Sequence, residues 1–127
     1  MHNRFVQRRE RLRPIIEREN LDLFLVTSEK NVSYLTGFSG DSTWLVAGTD
    51  SERLVSDGRY TGQLQEECPD IEARIRPPSV KLHEGTISLL KESQPRRIGI
   101  EGHVVSIELR DQLAAGLEGV ELVPLGS

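Results

Sequence analysis

The run Leu21-Asp-Leu-Phe-Leu-Val26 is apolar at all but one position and fenced by polar residues on both sides. It is too short for a membrane span and for an ordinary buried helix, so it reads as a strand covered on both faces. A strand of that kind needs helices above and below its sheet. The surrounding sequence supplies them.

Residues 4–19 have the pattern of a charged amphipathic helix, with Phe5, Leu12 and Ile16 on one stripe. Pro14 lies inside that pattern and predicts a kink or a break into two shorter helices. Glu10, Glu17 and Glu19 interleave with the arginines of Arg8-Arg9-Glu10-Arg11, so this cluster reads as a solvated helix face. Ser28 is placed to cap a short helix over residues 31–35 that Gly37 stops. Residues 44–47 and 53–56 read as strands, and the short Gly48-Thr-Asp-Ser51 link predicts an antiparallel hairpin. A helix follows over residues 60–67, ended by Cys68-Pro69, and then a half-exposed strand over residues 71–76. Pro77-Pro78 reads as a loop. Residues 80–92 form a second amphipathic helix and residues 97–100 a strand. Ser106 caps a helix to Leu117 whose Leu109, Leu113 and Leu117 share one face, and residues 120–123 form a last strand. Strands alternating with helices define an α/β fold: a mixed, mostly parallel sheet with helices on both faces and one antiparallel hairpin.

With 127 residues the chain is expected to form a single domain spanning residues 1–127, burying about two-thirds of its unfolded surface. Acidic residues outnumber basic ones by 20 to 16, a net charge of −4 that leaves no electrostatic footprint for nucleic acid. The first residues lack the apolar segment of a signal peptide, and no run approaches membrane-spanning length, so no membrane partner is expected. Cys68 is the one cysteine, which rules out an internal disulfide and fits a reducing, cytoplasmic setting. It reads as a half-buried thiol at a helix end.

Chemistry-bearing motifs are sparse. His2, His83 and His103 show no helical ligand spacing, and neither a zinc-protease, a phosphate-loop nor a dinucleotide-binding signature occurs. Two phrases stand out: Tyr34-Leu-Thr-Gly-Phe-Ser-Gly-Asp-Ser-Thr-Trp44 and Leu54-Val-Ser-Asp-Gly-Arg-Tyr60. In the first, Gly37 to Asp41 is a turn carrying an aromatic ring and a carboxylate. Trp44 is expected to face inward and Gly40 to supply a positive φ angle, while Phe38 and Asp41 are open to either a packing or a binding role. In the second, the chain leaves a strand at its carboxyl end, where α/β sheets usually meet ligands. Asp57 there is suited to capping, and the Arg59 guanidinium to holding a carboxylate or carbonyl. An ion pair of Arg59 with Asp57 or Asp41 is the equal alternative.

Asn31-Val-Ser-Tyr-Leu-Thr-Gly-Phe38 and Leu54-Val-Ser-Asp-Gly-Arg-Tyr60 resemble motifs of the creatinase, prolidase and Xaa-Pro aminopeptidase family. Leu21-Asp-Leu-Phe-Leu-Val-Thr27 and Ile98-Gly-Ile-Glu101 resemble two of its strands. Four such motifs in order and spacing are specific, and the likeness covers nearly the whole chain. It implies a ribonuclease-H-like α/β amino-terminal domain, with a catalytic pita-bread domain expected outside these residues. In that family the second domain carries two divalent ions, manganese, zinc or cobalt, and cleaves the bond before proline, or creatine in creatinase. The amino-terminal domain is implied to be non-catalytic, to help form a homodimer and to shape access of a proline-containing peptide. The resemblance further implies substrate-binding roles for Arg59, Phe38 and Asp41, the last two on a loop approaching the partner's active site. No catalytic residue and no metal ligand carries over. A binding or chaperone module from a catalytically dead relative, or a creatinase-type amidinohydrolase domain, are the alternatives. A ribonuclease-like metal site would have to draw on Asp22, Asp57 and Glu101.

Overall fold

The computed structural model describes residues 3–126, so His2 lies outside the described residues. A six-stranded sheet runs through it. Its strands are β1 (Leu23–Val26), β2 (Trp44–Ala47), β3 (Glu52–Asp57), β4 (Glu72–Arg76), β5 (Arg97–Glu101) and β6 (Glu121–Leu125), in spatial order β4-β3-β2-β1-β5-β6. β2 alone is antiparallel to its neighbours, while β3–β4, β1–β5 and β5–β6 pair in parallel. The helices are α1 (Arg4–Glu10), α2 (Leu12–Arg18), α3 (Glu29–Thr36), α4 (Thr61–Glu67), α5 (Leu82–Glu92) and α6 (Ile107–Gly116).

All four residues of β1 are buried, as its near-continuous apolar run requires. Leu23 and Leu25 point into one layer with Leu89, Leu90, Ile98, Ile100 and Leu113, and half-buried Trp44 packs against it. On the opposite face, Val26 joins Val32, Leu35, Phe38 and Leu64, and Phe24 joins Ile16 and Leu21. The parallel pairing of Leu23 with Ile98 and of Leu25 with Ile100 sets the buried residues of β1 and β5 side by side.

The amino-terminal helix is broken, as Pro14 foretold, and the break has a simple cause. Proline has no N–H to give the carbonyl four residues back, which is that of Glu10, and its ring would collide with it. α1 ends at Glu10, and Pro14 falls in the first turn of α2, where a missing donor costs least. Ser28 Oγ accepts from Asn31 N at 3.2 Å at the start of α3, and Gly37 ends it with φ +83°.

Two expectations need correction. Arg9 is not on a solvated face: it is 4% exposed, donates from Nη1 to Leu35 O at 3.0 Å and from Nη2 to Asp70, and its Nε lies 3.0 Å from Glu52 Oε1. Both carboxylates come from distant parts of the chain, so helix-face charge patterning could not reveal them. Cys68 is fully rather than half buried, with its thiol 3.5 Å from Thr36 O, and burial pushes its pKa up. A raised pKa in an apolar pocket describes an inert thiol.

Leu25→Ala should destabilise the chain by about 2–5 kcal/mol, because the side chain is fully buried in the layer beneath α5 and α6. Urea unfolding measures this. A loss under about 0.5 kcal/mol, the size of a surface effect, would contradict the central placement of β1.

Candidate functional site

β3 and the start of β2 meet at one edge of the sheet, and the side chains there form a small polar array. Asp57 is the last residue of β3 and 8% exposed. Its Oδ1 accepts from the backbone N of Arg59 at 2.9 Å, capping the short 3-10 turn Gly58–Tyr60. The Arg59 guanidinium folds back onto the same carboxylate in a two-pronged bond, Nε to Oδ1 at 3.1 Å and Nη2 to Oδ2 at 3.0 Å. Arg76 reaches the other side of Asp57, with Nη2 3.4 Å from Oδ2, while its Nη1 donates to Val80 O at 2.6 Å. These bonds, that from Arg59 foremost, hold the Asp57 carboxyl below its ordinary value of 3.8.

The loop before β2 supplies the other half. Tyr60 Oη donates to Asp41 Oδ1, which pushes the phenol pKa up, and Arg59 Nη2 lies 3.7 Å from the same oxygen. The guanidinium carbon also sits 5.0 Å from the centre of the Tyr60 ring. Beneath them Phe38 packs edge-on against Tyr60, centroids 5.1 Å apart at 87°. Gly40 is required here for space and not, as expected, for a positive φ: a Cβ on it would lie 2.6 Å from Phe38 Cζ and 2.8 Å from Tyr60 Cε1. The loop is fastened at two more points. Ser39 N donates to Glu67 Oε1 at 2.9 Å, and Thr43 Oγ1 lies 2.7 Å from Ser56 Oγ in a buried pair.

The fold therefore brings Arg59 and Asp41 together at an exposed edge, with 64% and 54% of their side chains accessible. Phe38 is 0% exposed and lies under the array, where it anchors the loop and offers no surface to a ligand. Arg59 makes the intramolecular ion pairs anticipated for it while still presenting most of its side chain to solvent. Tyr60, which joins Phe38, Asp41 and Arg59, went unremarked in the sequence although it closes the second motif.

The three acids of a ribonuclease-like site do not converge. Asp22 precedes β1 at the opposite edge, accepting from Arg96 N at 2.7 Å and Arg97 N at 3.0 Å. Glu101 ends β5 and binds the start of α3, accepting from Thr27 N and Ser28 N at 2.6 and 2.8 Å. Asp57 is held by its arginines. Among the described residues, no group of three or more His, Cys, Asp or Glu side chains could hold a metal ion. His103 is exposed and His83 half-buried. No helix among the described residues is long and apolar enough to cross a membrane.

A mixed six-stranded sheet ending in this Asp-Gly-Arg-Tyr array defines a class of α/β domain rather than a self-contained active site. Residues 8–127 match the family described as the Creatinase/Prolidase N-terminal domain, and the chain belongs to it. Of solved structures, the creatinase/prolidase-like N-terminal domain of a candidate metallopeptidase from Corynebacterium diphtheriae is 31% identical, with TM-score 0.86 and 98% of each chain covered. The N-terminal domain of the cytoplasmic peptidase PepQ from Mycobacterium tuberculosis H37Rv is 32% identical, with TM-score 0.82, covering 95% of this chain and 92% of that one. The uncharacterized peptidase YqhT of Bacillus subtilis is 28% identical over 116 residues, 91% of this chain but 32% of YqhT. The chain thus spans about a third of the length of that curated relative.

Asp57, Asp22 and Glu67 are all held below their ordinary pKa values, chiefly by hydrogen bonds from Arg59, from Arg97 N and from Ser39 N. A carboxyl depressed in the folded state adds stability that is complete above its unfolded pKa and disappears as pH falls through the folded one. Thermal stability should accordingly hold steady down to about pH 5 and decline below about pH 4. Asp57→Asn should lower stability at neutral pH and flatten that acid decline. An unchanged acid slope in the variant would disconnect Asp57 from the folding equilibrium.

Proposed function

We propose that the chain is the non-catalytic N-terminal domain of a proline-directed metallopeptidase, an Xaa-Pro aminopeptidase or Xaa-Pro dipeptidase, in which it contributes to dimerisation and to substrate access. The observation that carries this reading is the Arg59 array. Arg59 is oriented by Asp57, Asp41 and Tyr60 at an exposed sheet edge, in a chain that belongs to a peptidase-associated domain family. A guanidinium whose rotamer is already set by a carboxylate loses little further freedom when it meets a peptide oxygen. Asp41 contributes beside it as a rim residue, and Phe38 contributes indirectly by fixing the loop.

The two divalent ions of such an enzyme, manganese, zinc or cobalt, belong to a second domain. The residues of this chain do not fit them, since no cluster of ligand side chains is assembled among the described residues, and no step of the chemistry is assigned here. The working assembly is a homodimer in the cytoplasm, acting on proline-containing peptides. The description of one solved relative as a cytoplasmic peptidase supports that location.

Two outcomes are expected. The 127-residue chain, incubated with an Xaa-Pro dipeptide and manganese, should release no proline; turnover that tracks the purified chain would overturn the non-catalytic assignment. In the full-length protein, Arg59→Ala should lower kcat/KM on the order of tenfold to a hundredfold, as loss of a charge-assisted contact to substrate does. In the 127-residue chain the same change should lower Tm by only a few degrees, because Arg59 is largely exposed and Arg76 remains beside Asp57. A strongly destabilised domain with unaltered kinetics would make Arg59 a folding residue and nothing more.

A further inference from the structure

A predominantly apolar concavity, whose lining does not include Arg59, lies at the carboxyl ends of β1, β5 and β6. It is a groove of about 510 Å³ walled by Ile15, Phe24, Tyr34, Val104 and Leu125. α5 and α6 cover the other face of the sheet, and on this face Val123 and Leu125 of β6 are half-buried. Two large apolar side chains on the rim, Tyr34 at 48% and Val104 at 46%, are exposed. Polar groups in the groove do not explain it: Glu101 is occupied by Thr27 N, Ser28 N and Asn31 Nδ2.

The occupant is indicated by the placement of β6 and by the match to an N-terminal domain of longer relatives. Leu125 and Gly126 form part of the groove wall. β6 is pinned there by its register against β5, Glu101 opposite Leu125, and by Gly102 N donating to Leu125 O at 3.0 Å. A Cβ on Gly102 would sit 3.0 Å from that same carbonyl oxygen, so the close approach depends on glycine. Any polypeptide continuing from β6 emerges at the groove mouth, and at about 3.3–3.6 Å per residue a few residues suffice to cross it. The family match is to an N-terminal domain, and YqhT is about three times as long as the matched region. Tethered so closely, a continuation competes at an effective concentration of about millimolar or more, which a second copy or a free peptide would have to exceed.

We propose that this groove is the docking seat for the segment directly following residue 127 in the full-length protein, which lays an apolar face between Tyr34 and Val104 and so fixes the domain against what comes after it. The proposal rests on the reading of the chain as the N-terminal domain of a longer peptidase. It assigns the groove a structural partner within the same polypeptide, with a lining that does not include Arg59.

The test compares the 127-residue chain with the protein carrying its own downstream continuation, each as wild type, Val104→Asp and Val104→Leu. In the short chain Val104→Asp should leave Tm nearly unchanged, since the side chain is solvent-facing there. In the long protein it should lower Tm by several degrees and raise the rate of limited proteolysis after residue 127 by about tenfold, the size of a lost apolar anchor. Val104→Leu should behave as wild type in both. Equal effects of Val104→Asp in the two lengths would overturn the proposal, as would groove amides exchanging with deuterium equally fast in both. Concentration-dependent self-association of the short chain, abolished by Val104→Asp, would give the groove to a second copy and also overturn it. Xaa-Pro cleavage by the long protein is assayed separately: docking without cleavage would sink the peptidase reading and leave the groove assignment standing.

Discussion

One carboxylate holds the sheet and its neighbouring helix in register. Glu101, the last residue of β5, accepts from Thr27 N at 2.6 Å, from Ser28 N at 2.8 Å and from Asn31 Nδ2 at 2.6 Å. Those donors belong to the link between β1 and α3, where backbone N–H groups otherwise lack partners, and a negative charge is well placed ahead of a helix N-terminus. Each hydrogen bond to a charged acceptor is worth about 1.5–3 kcal/mol. β5 and α3 thereby become one unit. Everything beyond α3, including the turn at Gly37 and the loop that carries Phe38 and Asp41, takes its position from that joint.

The joint explains why four separated phrases of the sequence act together. Asn31 opens one and Glu101 closes another, and they meet at 2.6 Å across 70 positions. Thr43, in the loop after α3, meets Ser56 of the Leu54–Tyr60 phrase at 2.7 Å, and Tyr60 reaches back to Asp41 in that same loop. None of these contacts is visible in periodicity, because each joins short polar side chains from different elements. The elements themselves were legible for the opposite reason. Apolar runs, a capping serine at Ser28, a left-handed glycine at Gly37 and the interruption at Pro14 are local signals, and each does locally what it does in isolation.

Arg9 marks the boundary of that legibility. Charge alternation along α1 predicts a wetted face, yet the fold draws Glu52 and Asp70 onto it and buries the guanidinium under them. The side chain spans the end of α3, the start of β3 and the turn before β4, so it replaces apolar packing at a corner where three polar chain ends meet. Taking away one partner of such a buried pair typically costs about 3–5 kcal/mol, far more than a surface pair contributes. Phe38 shows the same limit from the apolar side. A phenylalanine in a glycine-rich turn is equally suited to the surface and to the core, and only the arrival of Tyr60 from 22 positions away decides that it is buried.

Two stretches of the sheet's carboxyl edge, one at β3 and one at β1, β5 and β6, then have different physical characters. At the Arg59 edge, charge is balanced within the domain: Asp57 and Asp41 face Arg59 and Arg76, and the loop beneath is locked by aromatic packing and by Gly40. Such an array is satisfied within the domain and keeps an oriented guanidinium in water. At the groove, by contrast, Tyr34 and Val104 are about half exposed on an otherwise largely apolar wall, with Arg8 over the Tyr34 ring and Asn31, Glu101 and His103 as its polar members. Burying that surface is favourable whenever a tethered segment can reach it. Along that one edge, a self-satisfied polar array at β3 lies beside a partly uncovered apolar groove at β1, β5 and β6.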